Sequence, residues 1–156
     1  ALEYDWDFIK WIKKKSKLPL IPKGILSRHD LKKCMDLKIN NIWISNHGGR
    51  MFNSGISTSR FLIQNQDLIK KYNGNIVIDG GVRKGSDIIK LKCLGADFVG
   101  LGRPIMHGLI VTGYKGVHKV LEILKNDLIS SMKNGGFKST IDFKISRLNF
   151  NKNYFE

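Results

Sequence analysis

The chain has 156 residues, one domain of ordinary size, and its 42% hydrophobic content suits a packed core and excludes a disordered chain. Its 27 Lys and Arg against 13 Asp and Glu give a formal net charge of +14. That charge raises nucleic acid or an anionic membrane as partners, but the lysines are spread along helix-like stretches, so a solvated basic surface is the favoured reading.

Residues 1–5 lead into a first amphipathic helix over 5–15, rich in lysine (KWIKKKSK). The short apolar run LPLIP, 18–22, reads as a strand ending at Lys23 and Gly24. A helix follows over 27–38, with Ser27 as N-cap and Leu31, Cys34, Met35 and Leu37 on its inner face. The second strand is NIWIS, 41–45, and the chain at once turns through NHGGR. A longer connection, MFNSGISTSR, leads to a helix over 59–72. The third strand, NIVID at 75–79, turns through GGVRKGS into a helix over 86–94. The fourth, ADFVGLG at 96–102, is followed by the connection RPIMHG, a helix over about 115–133 and a tail over 149–156.

Four continuous apolar strands, each followed by a helix, predict a parallel sheet covered on both faces. A doubly wound open sheet and half of a (β/α)8 barrel both fit this pattern. The polar residues favour the barrel: Lys23, His47, Arg50, Asp79, Arg83 and Arg103 all lie at or just past the C-terminal end of a strand, and in a barrel those ends converge on one mouth. Four strands are too few to close a barrel, so the chain reads as half of one, with two open edges.

No apolar run approaches the roughly 18 residues that a spanning helix needs. The start, ALEYDWDFIK, has neither a signal pattern nor an initiator Met, so the numbering is expected to begin inside a longer gene product. Cys34 and Cys93 lie in amphipathic stretches without metal-ligand spacing, and read as buried, reduced thiols of an intracellular, reducing compartment.

A structural turn needs the glycines of NHGGR but has no use for an imidazole and a guanidinium three residues apart. DGGVRKGSD, 79–87, follows a strand and opens a helix: Gly80 and Gly81 permit a tight turn, Arg83 adds charge, and the helix start carries a partial positive charge. The next unit repeats the arrangement with Gly102 and Arg103 in GLGRP. Two adjacent Gly-rich turns, each with an Arg, predict a phosphate site of the kind found after the last two strands of many barrels.

SNHGGR, DGGVRKGSD, GADFVGLGRP and LPLIPKGILSRHD, in this register, resemble the FMN-dependent 2-hydroxy acid oxidase and dehydrogenase family, which includes glycolate oxidase, lactate oxidase and flavin-dependent lactate dehydrogenases. The similarity runs from about Trp6 to Leu148 and covers the C-terminal half of that family's (β/α)8 barrel, strands five to eight. It implies oxidation of a small L-2-hydroxy acid to the 2-oxo acid, with FMN as cofactor. His47 would be the catalytic base and, with Arg50, would bind the substrate. Lys23, Ser45, Asp79, Gly80, Gly81, Val82, Arg83, Gly102 and Arg103 would hold the FMN. The family's first half supplies the rest of the flavin cradle, so full activity would need a complementary N-terminal half chain; a homo-oligomer is a further expectation. An inactive half-barrel kept as a basic binding or assembly component is the alternative.

Some positions depart from the family pattern. MFNSGIS stands where QLD and a Pro-Ala stretch are usual, so Asn53 replaces a carboxylate and Ile56 and Ser57 replace the Pro-Ala pair. Pro22 stands where Val is usual before Lys23, and NGGF stands in place of a Gly-Cys pair. His107 and His118 match no functional residue of the family and read as structural or exposed.

Overall fold

Asp5 opens the chain's first helix by accepting a hydrogen bond from the Phe8 amide, and three lysines fill the last turn of that helix. In the computed structural model, which describes residues 4–50 and 55–149, this is α1 (Trp6–Lys15). Helix α2 (Arg28–Asp36) is capped as expected by Ser27, whose hydroxyl oxygen accepts from the Asp30 amide. Its buried residues are Leu31 and Cys34.

The sheet is parallel throughout. Strand β1 (Asn41–Ile44) pairs with β2 (Asn75–Ile78), and β2 pairs with the two-residue β3 (Phe98–Val99). The expected first strand over 18–22 is reduced to one bridge, Lys23 beside Trp43. Its pairing consists of the Trp43 amide donating to the Pro22 carbonyl and the Gly24 amide donating to the Trp43 carbonyl. Pro19 and Pro22 have no N–H to give, which removes ladder donors from this run.

These four strand positions lie side by side in chain order. A doubly wound sheet needs a point where the order reverses, and none occurs among the described residues. Consecutive order is that of a barrel wall. The sheet is covered on one face only, which corrects the expectation of two covered faces. Ile42, Ile44, Ile76 and Ile78 are buried against the helices with Leu31, Phe61, Leu62 and Leu91. Their neighbours Trp43 and Val77 face the other way and are half-buried, and Phe98, in register with Val77, is 58% exposed.

The helix expected over 59–72 divides at Asn65 into α3 (Thr58–Gln64) and α4 (Gln66–Ile69). The buried Asn65 side chain donates to the Phe61 carbonyl, competing with the helical ladder at that turn. Helix α5 (Gly85–Cys93) lies where expected. RPIMHG is not a connection but the start of α6 (Arg103–Thr112), with Pro104 in its first turn where a missing N–H costs nothing. Gly113, at φ 61°, turns the chain into the long α7 (Tyr114–Asn134). Gly108 and Gly116 let α6 and α7 cross in contact: a Cβ at Gly116 would lie 1.9 Å from the Gly108 carbonyl oxygen. The substitution at Asn53, residues 1–3 of the leading segment and residues 150–156 of the tail lie outside the described residues.

Candidate active site

Strand periodicity places the site. On β1 the buried Ile42 and Ile44 point to the helices, so Trp43 and Ser45 point to the open face; on β2 Val77 and Asp79 do the same. Just past the strand ends, the Ser45 hydroxyl donates to Asp79 Oδ1 at 2.6 Å, accepts from Lys23 Nζ at 2.7 Å and accepts from the His47 amide at 3.1 Å. One donor and two lone pairs are all a hydroxyl has, so Ser45 is fully committed within the chain. Lys23 Nζ also lies 3.2 Å from Asp79 Oδ2, an oxygen that accepts from Trp43 Nε1 at 3.0 Å. The carbonyl of Asp79 accepts from the Thr58 hydroxyl at 2.8 Å, which pins the start of the DGG turn to α3.

The NHGGR turn is a single 3-10 turn, His47–Gly49. Asn46 organises it: its side-chain oxygen accepts from the Gly48 amide, and its carbonyl accepts from the Gly49 amide. His47 has φ 52°, a left-handed conformation that costs a residue with a Cβ roughly 1–2 kcal/mol. Such strain is stored at functional sites when the surroundings over-determine it. Here the Ser45 hydroxyl and Asn46 fix the turn on both sides, and the imidazole is held exposed at the mouth.

A cleft of about 740 Å³ opens along this end of the sheet, within the range of small-molecule and cofactor sites. Lys23, His47, Arg50, Asp79, Gly80, Gly81, Val82, Arg83, Gly102 and Arg103 all line it. Ser45, only 3% exposed, lies beneath the lining rather than on it. The cleft also takes in Trp43 and His107, two residues the motifs did not single out. His107 is exposed, as expected, but stands one helical turn after Arg103 on the cleft wall. His118 is exposed and lies off the cleft. Period-2 reading of NIWIS would have put Trp43 on the same face as Ser45.

Of the two helix starts expected to attract an anion, one is already occupied. Asp87 Oδ2 accepts from the Arg83 and Lys84 amides at 3.0 Å each, and Asp127 accepts from the Gly85 amide, so carboxylates of the chain itself hold the start of α5. The start of α6 has Gly102 at its N-cap and no side-chain cap bond, and it opens on the cleft. Gly81, at φ 77°, has nothing within 4 Å of where a Cβ would stand, which leaves the backbone of the DGG turn open to close approach. Arg83 donates to the Val82 carbonyl at 2.7 Å, and Arg103 reaches toward the Gly48 carbonyl at 3.5 Å. Both guanidinium groups line the cleft, so their remaining donors are within its reach.

A parallel wall of consecutive βα units with cations and Gly-rich turns gathered at the strand ends is the C-terminal-face site of a (β/α)8-barrel protein. The FMN-dependent dehydrogenase family matches residues 2–149, and the chain belongs to that family. It is 38% identical to 2-hydroxyacid oxidase 1 of Homo sapiens over 148 residues, 92% of this chain and 39% of that protein. It is 38% identical to a peroxisomal (S)-2-hydroxyacid oxidase of Arabidopsis thaliana over 135 residues, 85% of this chain and 36% of that protein. With the L-lactate dehydrogenase (cytochrome) of Saccharomyces cerevisiae it shares 35% over 143 residues, 89% of this chain and 24% of that one.

Among solved structures, the flavin-binding domain of baker's yeast flavocytochrome b2 superposes with a TM-score of 0.89 at 33% identity, over 94% of this chain and 38% of the other. Mandelate oxidase with benzoylformic acid gives 0.84 at 31% identity, over 94% and 43%. The chain thus has the fold of the C-terminal half of a (β/α)8 barrel, and it spans between a quarter and two fifths of the curated relatives named here. The family's cofactor is FMN. A cleft of flavin size, with a fixed ammonium, an open helix start and an unobstructed glycine turn, fits that group.

Proposed function

We propose that this chain forms the FMN-phosphate and proton-transfer half of an enzyme that oxidises a small L-2-hydroxy acid, of the lactate or glycolate class, to the 2-oxo acid. The observation that carries this reading is the convergence of Lys23, His47, Arg50, Asp79, Arg83 and Arg103 on one cleft from four separate βα turns. Bound FMN would supply the acceptor for two electrons. The amides of Gly81 and Gly102 and the guanidinium groups of Arg83 and Arg103 would hold its phosphate, and Asp79 and Gly80 would serve the ribityl chain. The ammonium of Lys23 would face the ring system as a fixed positive charge.

His47 would accept a proton from the substrate, a task suited to an imidazole held exposed at the cleft mouth. Arg50 lies three residues on, with its amide donating to the His47 carbonyl at 3.3 Å, so clamp and base share one turn. Its planar fork would take the substrate carboxylate at two points. The uncovered sheet face and the open strand edges support a complementary N-terminal half-barrel as the unit that completes the site for full activity. No described helix is long and apolar enough to cross a membrane. Burial of both cysteines as free thiols favours a reducing compartment.

The test is a pair of variants in the FMN-loaded, completed barrel. His47→Gln should retain FMN and lose turnover by several orders of magnitude, while Arg50→Lys should chiefly weaken binding of the hydroxy acid. Near-normal turnover in the first variant, or unchanged substrate affinity in the second, would remove the assigned role.

A further inference from the structure

We infer that Trp43 is a positioning residue that keeps the charge of Lys23 turned toward the cleft; this rests on the reading of the cleft as a flavin site. Asp79 and Lys23 lie close enough to neutralise each other, which would leave little positive charge for a ligand. The geometry limits that loss. Asp79 Oδ1 is taken by the Ser45 hydroxyl at 2.6 Å, and Oδ2 is taken by Trp43 Nε1–H at 3.0 Å. Two neutral donors therefore hold the carboxylate in place. The ammonium keeps a contact to Oδ2 of 3.2 Å, longer than the roughly 2.7–2.9 Å of a close charge-assisted bond.

The same indole offers its ring to Lys23. Nζ lies 5.0 Å from the ring centroid, inside the range of a cation–π contact. This attraction fixes the ammonium without cancelling its charge. Ser45 takes one of the ammonium's three donors, Asp79 Oδ2 lies 3.2 Å away, and the Lys23 side chain is 43% exposed and lines the cleft, so the ammonium stays open to it. Gly100 makes room for the indole, since a Cβ there would lie 3.4 Å from Trp43 Cζ2 and 3.2 Å from the Asp79 Cβ.

Trp43→Phe keeps an aromatic face beside Lys23 and removes the N–H, together with part of the indole's bulk. Oδ2 then has a free lone pair that the ammonium can close upon, drawing the charge out of the cleft. Two measurements test this. In the FMN-loaded barrel the variant should bind oxidised FMN within about threefold of the parent. Its affinity for two-electron-reduced FMN relative to oxidised FMN should fall about tenfold, read as a midpoint potential about 30 mV lower. In the chain without cofactor, acetylation of Lys23 followed by mass spectrometry should slow several-fold in Trp43→Phe and at least as much in Trp43→Leu, because both free Oδ2 for the ammonium and the second also removes the competing ring. An unchanged potential with unchanged Lys23 acetylation would overturn the inference, and so would loss of oxidised FMN by Trp43→Phe, which would make Trp43 a direct cofactor contact. Failure of the parent protein to bind FMN would instead overturn the proposed function, and the acetylation rates would then decide the role of Trp43 by themselves.

Discussion

Replacing Ser45 with Ala deletes one oxygen at the point where three parts of the site meet. The hydroxyl serves Asp79 at 2.6 Å, Lys23 at 2.7 Å and the His47 amide at 3.1 Å, in a position only 3% exposed. A buried charged group left short of one hydrogen bond costs about 1.5–3 kcal/mol. Lys23 is nearly half exposed, so water takes over its lost bond and that contribution is small. Asp79 is more enclosed and keeps Trp43 and Lys23 as partners, so most of the cost falls there. The sum is roughly 2 kcal/mol, which for a domain of this size lowers the melting temperature by about 4–8 °C. Thermal unfolding followed by circular dichroism measures it. Ser45→Ala and Lys23→Met together should cost less than the sum of the two, because their shared bond is lost once. A fall of less than about 1 °C, or strict additivity, would refute the network as a source of stability.

Gly116→Ala should destabilise by about 3 kcal/mol in denaturant unfolding, because the new Cβ would stand 1.9 Å from the Gly108 carbonyl oxygen and the two helices must part. Burial, with Asp30 adding to it, pushes the Cys34 thiol up to about 12; a raised thiol stabilises the fold fully below the ordinary thiol range and less as pH rises through about 12. A thiol reagent at pH 8 should therefore label Cys34 only as the protein unfolds, and immediate labelling would contradict this. Arg28 holds the Asp67 carboxyl down at about 2, so that pair stabilises above the ordinary carboxylate range and fades as pH falls toward 2. Arg28→Met should flatten the acid limb of the melting profile between about pH 4 and pH 2, and an unchanged limb would rule the pair out. Replacing Arg83 and Arg103 together by Gln should weaken FMN about a hundredfold and leave riboflavin unaffected; equal losses for both would remove them from the phosphate.

Much of this site was legible because strand alternation and glycine turns are local signals. The strand positions, the βα order and the strand-end placement of the cleft cations followed from LPLIPKG, NIWIS with NHGGR, NIVID with GGVR, and ADFVGLGRP. Helix α6 was missed because RPIMHG reads as a loop when Gly102 and Pro104 are taken as breakers, whereas Pro104 sits in a first turn that tolerates it. The 18–22 strand was over-read because its apolar content hid the two missing proline donors. The links among Lys23, Trp43, Ser45 and Asp79 join residues 20 to 56 apart, and only packing of the strand positions brings them together. Of the carboxylates at the start of α5, Asp87 lies within DGGVRKGSD, whereas Asp127 was equally out of reach, coming from α7, 42 residues on.

The most direct test of the flavin-site reading is the visible absorption of the protein reconstituted with FMN, with and without a co-expressed first-half chain, before and after anaerobic addition of L-lactate or glycolate. The cleft and its cations predict bound flavin in the completed barrel and bleaching of its visible band by one of the hydroxy acids. That bleaching should disappear in His47→Gln while the flavin stays bound. A completed barrel that takes up no FMN, or takes it up and is bleached by neither acid, would contradict the account.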